Sequence, residues 1–199
     1  MTALSALQAT LRRRVGRAMT DDAATDLLNE ALVHISLEQN WPWMHTTQSA
    51  TTDGTASITL ATAVRSVESV TIGNDPYYPM SVGDLDSAAA SGFGRRGYTI
   101  RDRTLTLYPT PGSGKTVTVR GLAFETVLSG ASDEPLLPDQ YVPILVELAA
   151  ALWHEQDPQG NANAAVHEVR YQRLMTKLRR VATMDARPVL PSTRAGSLV

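Results

Sequence analysis

The apolar positions of this 199-residue chain change period twice along its length. Leu4, Leu7, Leu11 and Val15 recur every three or four residues, which predicts a first helix over residues 2–18. Leu27, Leu28, Ala31, Leu32, Ile35 and, more loosely, Leu37 trace a second stripe, with Asp22, Asp26, Glu30 and Glu38 largely between its members. Gly16 and the Met19-Thr20-Asp21 step separate the two helices. Thr20 or Asp21 caps the second, whose early acids suit the positive end of its dipole. Trp41-Pro42-Trp43 ends it, because Pro42 disfavours helical geometry at the residue before it.

Beyond Trp43 the sequence turns strand-like. Ser57-Ile58-Thr59-Leu60 alternates as a half-buried strand does, and Val64, Val67, Val70 and Ile72 continue in β-rich sequence. Asp53-Gly54 and Gly73-Asn74-Asp75-Pro76 read as turns, the latter just before Tyr77-Tyr78. Asp84 to Ala90 reads as a short helical turn. Tyr98-Thr99-Ile100, Leu105 to Tyr108 and Thr116 to Arg120 make three more strands, the last two joined as a hairpin.

Helical spacing returns near Pro138, or near Val142 if Pro143 takes the first helical position. From Leu145 to Trp153 almost no polar face remains, so this third helix is expected at the centre of a bundle or under a neighbouring subunit. Asp157-Pro158-Gln159-Gly160 ends it, and Asn161 or Asn163 caps a fourth. There Val166, Val169, Leu174, Leu178 and Val181 are expected to be buried, with Arg170, Arg173, Lys177 and Arg180 outside. Residues 186–199 carry two prolines, Gly196 and small polar residues; they cannot bury themselves alone and read as an extended arm. The expected fold class is α+β: a bundle of about four helices with an antiparallel β-sheet or sandwich inserted between helices 2 and 3. The divisions are residues 1–43, N-terminal helices; 44–135, β insertion; 136–185, C-terminal helices; and 186–199, arm.

Composition removes several functions. With no cysteine there is no disulfide, thiolate metal site or cysteine nucleophile. A net charge of -2 predicts no general affinity for nucleic acid or anionic membrane, although arginines crowd both ends around an acidic middle. No apolar run approaches the ~20 residues of a membrane span, and the amino terminus lacks a signal-peptide core, so an intracellular, soluble protein is expected.

Two glycine-rich stretches match nucleotide motifs by letter only. Gly112-Ser113-Gly114-Lys115-Thr116 lacks the earlier glycine of a phosphate-binding loop, where Pro109 stands, and leads into a strand where that loop opens a helix. Gly92-Phe93-Gly94-Arg95-Arg96-Gly97 likewise lacks the strand before and the helix after a dinucleotide fingerprint, and reads as a basic, flexible loop. His34, His45, His154 and His167 show no zinc spacing, and no serine stands in a nucleophile elbow. Glu147 and Glu155 are the carboxylates that could pair as acid and base across helices, with nothing in the spacing requiring it. The sequence offers no enzyme, no cofactor and no metal site.

The order of parts carries a resemblance. Leu27-Leu28-Asn29-Glu30-Ala31 leading to Trp41-Pro42-Trp43 is followed by the β insertion, then Tyr98-Thr99-Ile100 and Leu105-Thr106-Leu107-Tyr108-Pro109-Thr110-Pro111. Leu136-Leu137-Pro138-Asp139-Gln140-Tyr141 then enters the Ala-rich helix ending at Trp153. Over residues 20–180 this resembles the head-tail adaptor proteins of tailed bacteriophages and of phage-derived particles such as gene transfer agents. The resemblance implies a virion structural protein forming a cyclic ring, a dodecamer, beneath the capsid portal. That ring prolongs the channel for double-stranded DNA, without sequence-specific binding, and offers a platform to a stopper or tail-completion protein. No cofactor and no membrane are implied.

Under that reading the arm is the candidate contact to the portal or a neighbour, through Arg187, Pro188, Val189, Leu190, Pro191, Arg194 and Leu198. Arg95, Arg96, Arg173, Lys177 and Arg180 are candidate partner-facing or channel-facing cations. The competing readings are a β-sandwich module binding a peptide or carbohydrate on Tyr77, Tyr78, Phe93 and Tyr98, and a helical-bundle hydrolase using Glu147, Glu155 or a histidine.

Overall fold

A computed structural model describes residues 2–16, 19–60, 64–92, 94–101, 103–156 and 161–185. The chain divides into two compact units, residues 1–35 with 128–199, and residues 36–127. The arm, residues 186–199, lies outside the described residues.

The first unit is helical. α1 (Leu4–Val15) buries Leu4, Leu7, Leu11 and Val15, and Gly16 closes it in the left-handed conformation that a glycine adopts without strain. α2 (Asp21–Glu38) buries Ala24, Leu27, Leu28, Ala31, Leu32 and Ile35. Leu37, the loosest member of the expected stripe, is 62% exposed, because helical spacing puts it on the side of Asp26. Gln8 of α1 donates to the Thr25 hydroxyl (2.9 Å) and the Asp21 carbonyl (3.2 Å), joining the two helices. Asn29 grips the chain where it re-enters this unit: its side chain donates to the Leu128 carbonyl (2.9 Å) and accepts from the Leu128 N–H (2.8 Å).

α4 (Val142–Glu155) begins one residue before Pro143 and is buried from Ile144 through Ala151. α1 and α5 (Asn161–Asp185) both pack on α4, which answers the choice left open by its missing polar face: α4 is covered within the single chain.

The second unit opens at the aromatic stop. Trp41 is extended (φ -78, ψ 146), as the residue before a proline must be, and a short 3-10 turn, Pro42–Met44, leads into the sheet. Trp41 is wholly buried and stacks on Trp43, ring centroids 4.9 Å apart. The strands are β1 (His45–Thr51), β2 (Ser57–Thr59), β3 (Val64–Ile72), β4 (Asp75–Pro79), β5 (Gly97–Arg101), β6 (Thr104–Tyr108) and β7 (Thr116–Ala123). They form one seven-stranded sheet in the order β1-β7-β3-β4-β5-β6-β2. Ile58, Val70, Tyr98, Leu107 and Val119, drawn from β2, β3, β5, β6 and β7, share one core cluster. The sheet therefore curls until its two ends enclose a common interior, nearly a barrel.

Three features of this unit depart from expectation. The sheet is mixed, because β4 and β5 run parallel through Tyr78↔Gly97 and Pro79↔Tyr98. A parallel pair needs a crossover, and the short helical turn expected at Asp84 to Ala90 is a full helix that supplies it, α3 (Val82–Ser91). Ser81 caps α3 by accepting from the Asp84 N–H (3.1 Å), and Gly92 ends it in a left-handed conformation.

The third departure is that β6 and β7 form no hairpin: β6 pairs with β2 and β5, whereas β7 pairs with β1 and β3. The connection between them is fastened to the end of β1 by Thr52, a polar residue only 2% exposed. Its hydroxyl donates to the Gly112 carbonyl (2.6 Å) and accepts from the Lys115 N–H (2.9 Å). Its backbone N–H donates to the Lys115 carbonyl (2.9 Å), and its carbonyl accepts from the Gly114 N–H (2.7 Å).

Candidate assembly surfaces

α5 bears out only part of its expected buried stripe: Leu178 is buried and Leu174 half-buried, but the three valines are not. Ala164, His167, Tyr171, Met175, Leu178 and Ala182 are the residues that face the core, at steps of three and four. Val166 (49% exposed), Val169 (61%) and Val181 (44%) lie in solvent. Two stripes overlap on this helix at Leu178. The buried one includes the large Tyr171 and Met175, and it accepts His167 because Glu147 of α4 pairs with its ring.

Arg170, Arg173, Lys177 and Arg180 are exposed, as expected. Arg173 and Arg180 lie on the side of α5 away from its buried stripe, next to Val166 and Val169, and Lys177 stands at the flank, where it lines a cleft with Pro143 and Ile144 of α4. With Ala165 and Arg170, the two valines and Arg173 line a shallow groove. The outer face of α5 is thus apolar toward its start and basic further along.

α2 has a face of opposite character. Asp22, Asp26 and Glu30 are exposed on one side of the helix, with Val33 (51% exposed) continuing that row. Among the described residues no ion-pair partner within the chain engages Asp22, Asp26, Glu30, Arg173, Lys177 or Arg180. The sequence marks these acids as the polar side of α2 and, in its first turn, as complements to its dipole. A valine standing at the end of an acidic row was the signal available for more.

The arginines of α1 do not form one outward face. Arg12 pairs with Asp21, and Arg14 reaches a carboxylate only 3% exposed, that of Glu147 on α4. Glu147 Oε1 takes the Arg14 Nη2 at 2.8 Å, and Oε2 takes Nδ1 of His167 at 2.7 Å. An ionised carboxylate only accepts, so Nδ1–H must donate. The His167 ring stacks on that of His154, centroids 5.4 Å apart. This buried cluster ties α1, α4 and α5 together. It also engages both oxygens of Glu147, while Glu155, its proposed partner in acid–base work, is exposed.

In the second unit, Arg95 and Arg96 are held against β4. Arg96 pairs with Asp75 at 2.9 Å, its carbonyl accepts from the Tyr78 N–H, and the Arg95 guanidinium lies 6.0 Å from the centre of the Tyr78 ring. Around Phe93, which lies outside the described residues, the expected flexible loop is thus a helix cap, an anchored pair of cations and the start of β5. Of the proposed aromatic platform, Tyr77 and Tyr98 are core residues, and burial pushes both phenols above their ordinary pKa. Among its described members, Tyr78 alone is half exposed. The amides of Gly114 and Lys115, which a phosphate-binding loop needs free, are both bonded to Thr52.

Among the described residues no group of three or more histidine, aspartate and glutamate side chains gathers as a metal site, and no helix is long and apolar enough to cross a membrane. The arm residues Arg187, Pro188, Val189, Leu190, Pro191, Arg194 and Leu198 lie outside the described residues.

What the described surface offers is exposed helix faces of opposite charge, the equipment of a structural component that works by contact. The chain belongs to the SU10 adaptor protein family, a family of phage head-tail adaptors, whose sequence profile matches residues 1–193. Membership makes it a phage structural protein with an adaptor's role in the virion. No curated protein matches the chain.

Proposed function

We propose that copies of this chain form a closed ring beneath the portal of the capsid, prolong the DNA channel and present a platform to the stopper or tail-completion protein. Twelve copies is the number the family resemblance implies. The observation that carries the reading is the outer face of α5, where Val166 and Val169 stand in solvent beside cations that have no ion-pair partner among the described residues. A ring is built from heterologous contacts, each copy giving one surface and receiving another, and such surfaces stay uncovered in the single chain. A net charge of -2 suits a conduit, since a strongly basic lumen would hold phosphates by counterion release.

The arm, residues 186–199, gains order on the portal or on a neighbouring copy, with Leu190 and Leu198 as apolar anchors and Arg187 and Arg194 as cations. Electron microscopy of the purified chain mixed with its cognate portal tests both statements. A ring stacked coaxially on the portal is expected, together with its loss when residues 186–199 are removed. Survival of the ring after truncation refutes the arm assignment alone, and a chain that joins no portal complex refutes the adaptor ring.

A further inference from the structure

We infer that α5 of one copy packs antiparallel along α2 of the next, in a register set by Val169 against Val33. This rests on the ring reading above and names the contact that closes it. The acids Glu30, Asp26 and Asp22 stand three, seven and eleven residues before Val33; the cations Arg173, Lys177 and Arg180 stand four, eight and eleven residues after Val169. At ~1.5 Å rise per residue, an antiparallel alignment brings each acid within about 1.5 Å, along the axis, of one cation. The two valines, 51% and 61% exposed, meet at one end of the row and lose their contact with water.

The requirements of each helix alone do not explain these rows. Dipole effects fade within a turn of a helix end, which accounts for Asp22 in the first turn of α2 but not for Asp26 or Glu30. The last turn of α5 holds no basic residue, so its cations lie too far in to serve that dipole. The two faces differ in character and belong to different helices, as a heterologous, head-to-tail contact requires.

Two variants of the full chain test the contact: one with Arg173→Glu, Lys177→Glu and Arg180→Glu, the other with Asp22→Lys, Asp26→Lys and Glu30→Lys. Each brings three like-charged pairs together, so self-association by sedimentation is expected to weaken about a hundredfold. Mixed in equal amounts, the two variants present complementary faces at every contact and should regain assembly as rings of alternating copies. Circular dichroism at the wild-type level in both variants keeps misfolding apart from lost assembly. Wild-type association should also fall as salt rises, since the pairs are at the surface.

A wild-type ring left undiminished by both reversals, a mixture of folded variants that fails to assemble, or salt-independent wild-type association overturns this contact and leaves the ring reading standing. If the α5 reversal keeps the ring but loses portal capture, the basic row belongs to the portal contact and the inference fails. A wild-type chain that is monomeric both alone and with portal overturns the ring reading, and this contact with it.

Discussion

Replacing Glu147 with alanine removes the carboxylate that joins three helices, and its cost follows from the surroundings of each partner. Glu147 is 3% exposed and His167 6%, whereas the Arg14 side chain is 44% exposed. Breaking a buried ion pair from one side costs roughly 3–5 kcal/mol when the remaining charge stays buried. Here Arg14 can turn to water, and the main lasting loss is the partner of the buried His167 Nδ1, so the low end, about 3 kcal/mol, is expected. For a chain of this length each kcal/mol moves the melting temperature by about 2–4 °C, which gives a fall of about 6–12 °C. The assay is thermal unfolding followed by helical circular dichroism, since the cluster lies in the helical unit. Glu147→Gln keeps the shape but presents an amide to one of two donors, so it should fall between wild type and alanine. Arg14→Ala should cost less than Glu147→Ala, and the double variant should show coupling of about 0.5–3 kcal/mol. A melting temperature for Glu147→Ala within about 2 °C of wild type would refute the view that this cluster fastens the bundle.

Gly121 of β7 faces the bulged part of β3, where an added Cβ would fall on the Ser66 carbonyl oxygen and lie 3.0 Å from Val67 Cα. Backbone cannot swing aside as a side chain can, so Gly121→Ala should cost about 2–3 kcal/mol in urea titration and shift β3 amide resonances; a silent substitution would deny the close approach. Thr52→Val keeps the shape and deletes the hydroxyl between Gly112 and Lys115, leaving an acceptor and a donor short of a partner. A loss of about 1–3 kcal/mol is expected, with faster hydrogen exchange at Lys115; unchanged exchange there would contradict the anchoring role. Asp133 is held below the ordinary carboxylate range by the N–H groups of Gly130 (2.7 Å) and Ser129 (2.8 Å). Its folded pKa is depressed, so its contribution is present above the ordinary carboxylate value and is lost as pH falls through the folded value. NMR titration should show the Ser129 and Gly130 amides shifting together only in acid, and an Asp133 midpoint at or above the ordinary value would refute the bonding.

Local pattern was enough for the helices and for several turns. α1 buries the stripe its spacing marks out and α2 does so except at Leu37, Trp41 leaves the helix because Pro42 follows it, and α4 is buried as its missing polar face requires. The family order was legible for the same reason: elements that form from neighbours in sequence leave their punctuation in sequence.

Long-range partners decided the rest. α5 carries two helical stripes, and only the presence of α4, with Glu147 waiting for His167, selects the one with alanine and histidine over the one with valine. β6 and β7 are adjacent in the chain and look like a hairpin, but strand pairing is settled by which edge lies open, and the edges β7 finds are those of β1 and β3. Arg14 reads as a surface cation until the fold carries a buried carboxylate to it. Period and capping are properties of a few consecutive residues and survive in the bare sequence. Burial, pairing and charge compensation depend on groups that meet only when the chain has closed on itself.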